Sequence, residues 1–164
     1  MNDATGEREK ARTLFQQAYK EQMRGHFAEA ADLYRASIAT HPTAEAHTFL
    51  GWTFSFESRY EEAIAECRKA IRVDPDFGNP YNDIGSYLIQ SGKAEEAIPW
   101  LEKAKAAPRY EPRHFPYQNL ARAYLAMGRT EDALREMEQA RFLEESLEAE
   151  GSPDRPAGDP RSVH

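Results

Sequence analysis

Five histidines, one cysteine and 28 acidic side chains are the raw material for chemistry in this 164-residue chain. His26, His41, His47, His114 and His164 never fall at the short spacings by which two imidazoles share a metal ion, so they read as polar surface or packing residues. Cys67 stands alone. It can form no intramolecular disulfide and no cysteine-based zinc site, and it fits a reducing compartment. Adjacent acids occur at Glu61/Glu62 and Glu95/Glu96, but each couple opens an apolar-periodic segment, where carboxylates favour the positive end of a helix dipole. The nine glycines sit mainly at segment ends or close to the C-terminal end and build no phosphate-cradling loop. No nucleophile is accompanied by a base. The chain is expected to be no enzyme and to carry no metal and no cofactor.

Composition narrows the partners. Acidic residues outnumber basic ones to give a formal charge of −7, which repels phosphate backbones unless the cations are segregated, and no cluster of Lys and Arg alternates with aromatics. Nucleic acid is not an expected partner. The opening MNDATGEREKARTLF lacks the apolar core of a secretory signal, and no stretch approaches the ~18 apolar residues of a membrane span, so a cytoplasmic location without membrane contact is expected.

Self-similarity at a fixed period organises the rest. Ala30, Ala63, Ala97 and Ala133 lie in the closely matched segments HFAEAADLY, RYEEAIAEC, KAEEAIPWL and RTEDALREM, at separations of 33, 34 and 36 residues. The same intervals relate Gly25, Ser58, Gly92 and Gly128, then Ser37, Ala70, Ala104 and Ala140, then Ala18, Gly51, Gly85 and Ala121. In each unit the Gly or Ser falls between two apolar-periodic segments, where one helix must end in a left-handed turn before the next begins. First helices carry apolar pairs at i and i+4, Leu50/Phe54, Ile84/Leu88 and Leu120/Tyr124, which define one face. Second helices place a small residue where the two helices of a hairpin come close, and Pro42, Pro75 and Pro108 stop them.

These residues resemble the tetratricopeptide repeat over about positions 11–147, best in the second unit, where Leu50-Gly51, Tyr60, Ala63, Cys67, Ala70 and Pro75 match the large-small, aromatic, small, large, small and proline positions of that pattern. The resemblance implies an all-α superhelix of four helix hairpins, 11–43, 44–77, 78–113 and 114–150, after a lead-in of 1–10 and before a disordered tail of 151–164. Gln17 and Glu21 replace apolar residues in the first unit, as suits an end repeat facing water. The fourth unit lacks its closing proline, so its second helix is expected to run on through Arg141, Phe142, Leu143 and Leu147.

In the resembled family the first helices line a concave groove that holds peptides or partner helices. Carried onto this chain, that face is Phe15, Tyr19, Phe49, Trp52 and Phe56 in one half and Asn79, Asn82, Ser86, Gln90, Asn119 and Arg122 in the other. Aromatic side chains would anchor apolar ligand residues where they do not pack within and between the units, as Phe49, Phe56, Trp52 and Tyr19 could, and amides would hold an extended backbone. Members that bind acidic chaperone tails use a clamp of Lys, Asn and Arg. The matching positions here, Phe15, Tyr19, Phe49, Asn79 and Asp83, or Thr48, Trp52, Asp83, Phe115 and Asn119, supply no cation, and Asp83 would repel such a tail. Arg109, Tyr110, Arg113 and His114 either form a second contact surface or only adjust the angle between hairpins, and Phe142, Leu143 and Leu147 on the final helix either join such a surface or pack back on the second helix of the third unit. The expected function is thus a protein-binding adaptor with a groove. The alternative is an assembly subunit, such as a homodimer, that uses the incompletely capped last helix.

Overall fold

The computed structural model describes residues 3–150, which form eight helices and no strand. These are α1 (Asp3–Met23), α2 (Phe27–Thr40), α3 (Ala44–Phe56), α4 (Tyr60–Val73), α5 (Asn79–Gln90), α6 (Ala94–Ala106), α7 (Phe115–Ala126) and α8 (Thr130–Ala149). Helix α1 begins inside the stretch expected as a lead-in, and the expected tail lies outside the described residues. Local chemistry sets the helix ends. Gly25, Gly92 and Gly128 follow first helices with φ of 80°, 79° and 73°, and Ser58 adopts the same left-handed turn at 57°. Helices α2, α4 and α6 each stop two residues before Pro42, Pro75 and Pro108, the residue ahead of a proline being driven out of helical geometry. Thr43 caps α3 by accepting a 3.1 Å hydrogen bond from the Ala46 amide.

Successive helices pair as hairpins, and the pairs stack in chain order. The small-residue ladder makes this close approach: Ala30, Ala63, Ala97 and Ala133 are all fully buried. Tightest is the middle of the stack, where a Cβ on Gly85 would lie 2.3 Å from Leu101 Cδ2, and one on Gly51 would meet the Ala63 carbonyl oxygen at 2.8 Å. First helices of neighbouring pairs approach backbone to backbone, α3 with α5 and α5 with α7, whereas successive second helices stand further apart and meet through long side chains, as Lys105 on α6 does with Glu136 on α8 at 2.9 Å. The stack therefore bends toward its first helices. One core runs through it, from Ala18 and Tyr34 through Leu50, Phe54 and Cys67 to Ile84, Leu101 and Leu120.

Two polar devices fix the array. In the first hairpin, buried Tyr34 donates to Gln22 Oε1 at 2.6 Å and Ser37 to the Ala11 carbonyl at 2.8 Å. In the second, His47 Nδ1 lies 2.9 Å from Glu66 Oε2, and both side chains are buried. Burial would raise the Glu66 pKa, but hydrogen bonds from His47 and Lys69 outweigh it and hold the carboxyl below its ordinary value.

Of the two readings of the stretch from Arg109 to His114, a contact surface or an adjuster between hairpins, its contacts fit the second. Its main chain pairs with the preceding inter-unit loop, the Arg109 amide donating to the Asp76 carbonyl and the Gly78 amide to the Arg109 carbonyl. The Arg109 guanidinium covers the Phe77 ring and binds Asp74 and Glu45, holding the Asp74 carboxyl below its usual range. Tyr110 and His114 are buried, and Arg113 donates to the Ala107 and Pro108 carbonyls. These side chains are consumed within the protein, tying the segment after the third hairpin to the loop before it.

Candidate functional site

A cavity of about 90 Å³ opens on the inner face of the bend. Its wall comes only from first helices: Trp52, Ser55 and Phe56 on α3, Asn82, Asp83, Ser86, Tyr87 and Gln90 on α5, and Asn119 on α7. The volume is well below the ~300–1,000 Å³ of small-molecule pockets, so it suits a single side chain of a larger ligand. Six of the expected groove residues meet here, namely Trp52, Phe56, Asn82, Ser86, Gln90 and Asn119.

The others lie around the cavity. Phe15, Tyr19 and Phe49 form a chain of edge-on ring contacts, Phe15 to Phe49 at 5.1 Å and Tyr19 to Phe49 at 6.1 Å, and Phe49 continues to Trp52 at 5.8 Å. Phe15 and Phe49 pack against the main core as well, so this half of the expected aromatic face is largely structural. Trp52 is only 5% exposed and meets Phe56 at 5.0 Å, and Phe56 stacks in turn on Phe27 at 4.9 Å. Phe56 presents the accessible edge. Asn79 is buried at the start of α5, away from the cavity wall, and Arg122 is exposed beside it. Of the final-helix residues, Phe142 is exposed while Leu143 and Leu147 are half-buried.

The amides are held by one another before any ligand arrives. Arg122 donates to Asn119 Oδ1 at 2.8 Å, and Asn119 Nδ2 donates to Asn82 Oδ1 at 2.9 Å, which ties α7 to α5 across the inner face. On the other flank Tyr60 donates to Gln90 Oε1 at 2.7 Å, and Gln90 Nε2 to Ser86 Oγ at 3.2 Å. Such networks fix each amide's orientation, so part of its capacity is spent within the protein and the remainder is preorganised. Asp83 and Tyr87 belong to the same wall but were absent from the expected groove set. The signal that could have found them is their spacing, since positions 79, 82, 83, 86, 87 and 90 form one stripe along α5. Asp83 also sets the sign of the local field: after burial itself, its carboxylate is the next cause pushing up the buried Cys67 thiol, followed by Glu66.

No cluster of three or more metal-ligating side chains forms among the described residues, and no helix among them is long and apolar enough to cross a membrane. Profiles of the tetratricopeptide repeat match residues 22–80, 57–112 and 116–140. The chain is 32% identical over 75 residues to the TPR repeat-containing thioredoxin TTL4 of Arabidopsis thaliana, covering 45% of this chain and 11% of that protein. It is 26% identical over 95 residues to the small glutamine-rich tetratricopeptide repeat-containing protein 2 of Mycosarcoma maydis, covering 57% and 27%. It thus spans only a small part of the length of these relatives. Among solved structures, PilF of Pseudomonas aeruginosa superposes with a TM-score of 0.78 at 27% identity, over 84% of this chain and 63% of that one. MamA superposes at 0.73 with 21% identity, over 85% and 81%. The first repeat domain of Spaghetti (RPAP3), solved with an HSP90 peptide, superposes at 0.67 with 21% identity, over 73% and 97%, and like MamA shows the fold alone.

Proposed function

Because the chain belongs to the tetratricopeptide repeat family, we propose that it is a non-catalytic protein-binding module whose inner face grips an extended partner segment and draws one basic side chain of it into the cavity beside Asp83. The single observation that carries this reading is that cavity. Trp52, Phe56 and Tyr87 furnish aromatic surface, Asp83 furnishes negative charge, and the Asn82–Asn119 couple furnishes fixed amide groups on one wall. Aromatic faces and a carboxylate together favour a Lys or Arg side chain, whose stem packs on the rings while its head meets the charge. The acidic tail SRMEEVD bound by the Spaghetti domain is the opposite chemistry, and Asp83 would oppose it here.

Panning a phage library of random 12-residue peptides against the protein tests this proposal. Selected peptides should share a basic residue, and Asp83→Lys should abolish their binding without loss of helical signal in circular dichroism. Phe56→Ala, at the accessible edge, should weaken the same peptides. Selection of acidic peptides, or equal binding to Asp83→Lys and the parent, would show that the cavity is not the binding site. Trp52→Ala is a poorer probe than its register position suggests, because removing so buried an indole costs about 3–5 kcal/mol of stability in its own right.

A further inference from the structure

The repeat register lets the end of the array be compared with its interior. The last residue of each matched segment is Tyr34, Cys67, Leu101 and Met137. The first three are 0% exposed, enclosed between their own hairpin and the one that follows, whereas Met137 is 49% exposed. One turn earlier, Ala31 is buried and Ile64 and Ile98 are half-buried, while Leu134 is open. A groove of about 620 Å³ runs along this face, lined by Gln118, Leu134, Met137, Arg141 and Glu144 among others. Phe142, one turn beyond Glu138, is 65% exposed and lies outside the groove, in a shallower depression beside Glu138, Arg141 and Glu145.

We propose that this face is covered by the same face of a second copy, with α8 packed antiparallel on α8 about a two-fold axis between Gln139 and Ala140. Side-chain order sets the axis. An axis there places Glu138 against the partner's Arg141, and symmetry makes that contact twice. Among the described residues neither Glu138 nor Arg141 makes an ion pair, although Arg129 and Arg135 on the neighbouring turns both bind Asp132. Leu134 falls opposite the stem of the partner's Glu145. A head-to-tail stack is the poorer fit. It would set the apolar α8 face against the outer side of α1, where Thr13, Gln16, Gln17 and Lys20 are exposed and polar.

No residue of the inner-face cavity lies on α8, so the dimer leaves both cavities open, and two sites on one particle bind a bivalent partner more tightly than one site does. This inference stands apart from the peptide reading, since it is tested with no ligand present.

Sedimentation equilibrium of the full chain, from about 5 to 200 µM, covers the range in which an interface of one helix pair is expected to associate. Wild type should fit a monomer–dimer equilibrium. Glu138→Arg or Arg141→Glu alone should raise the dissociation constant about tenfold or more, since each sets two like charges face to face, and the double reversal should restore it. Met137→Glu should be monomeric with unchanged circular dichroism. A chain ending at Glu150 should still dimerise. The proposal is overturned if wild type is monomeric throughout, if the double reversal associates no better than the single ones, or if loss of residues 151–164 abolishes the dimer.

Discussion

Gly85→Ala places a methyl group where the structure has no room for one. The added carbon would sit 2.3 Å from Leu101 Cδ2 and 2.5 Å from its Cγ, far inside the ~3.5–4.0 Å of ordinary carbon contact. Leu101 is fully buried and cannot swing aside without displacing its neighbours. Overpacking of this kind costs about 1–3 kcal/mol, with so deep an overlap at the upper end. Exchanging glycine for alanine within a helix returns ~0.5–1 kcal/mol. The net loss should be about 2 kcal/mol, or about 4–8 °C in melting temperature for a chain of this size. Leu101→Ala alone should cost ~2–5 kcal/mol by leaving a cavity. In the double variant the new methyl occupies part of that cavity, so its loss should fall short of the sum by at least about 1 kcal/mol. Urea titrations followed by far-ultraviolet circular dichroism measure all four proteins. A Gly85→Ala variant as stable as the parent, or strict additivity, would mean that α5 and α6 do not meet as described. Ala18 and Ala121 hold the same register position in the first and last hairpins, which shows that a methyl is acceptable there in other pairs.

Ser58 occupies the left-handed turn that glycine fills in the other three hairpins, so Ser58→Gly should stabilise the protein by about 0.5–1 kcal/mol, read as a higher urea midpoint; a lower midpoint would refute that account of the turn. Glu66 has a folded-state pKa below its ordinary value of 4.5, so its contribution is complete above that pH and is lost as pH falls through the folded value. Melting temperatures from pH 7 down to about 3 should therefore drop less steeply for Glu66→Gln than for the parent, and parallel curves would show that the His47–Glu66 contact carries no linkage.

The fold was legible because its determinants are local or periodic. The alanine ladder marks the points of closest helix contact, and three glycines and one serine mark the turns, all visible as spacings in one chain. The inner face was legible in its membership but not in its state. Trp52 and Phe49 carry the right register for a binding surface, yet whether a ring on that register faces solvent or another ring depends on the neighbouring helix, and here Phe15, Phe49 and Phe56 enclose most of the aromatic surface. The Asn119–Asn82 bond crosses 37 positions, and the Arg109–Glu45 bond crosses 64. No spacing rule reaches so far, which is why the sequence leaves Arg109 between a contact surface and an adjuster of the hairpin angle, while its bonds to Glu45 and Asp74 make it a staple between hairpins. Asp83 was visible as a charge that opposes acidic ligands, but its place beside three aromatic side chains needed the packing of α5 on α3.

The two tryptophans stand on opposite layers of the stack. Trp52 forms part of the cavity wall between Phe49 and Phe56, while Trp100, on the second helix of its hairpin, lies under the cations of Arg68 and Lys103 at 5.2 and 4.8 Å. Light emitted by the first indole comes from the place where a ligand would sit, and light from the second comes from the outer layer. A Trp100→Phe protein would thus have a single tryptophan, in its inner face, a ready-made optical gauge of occupancy that requires no attached dye.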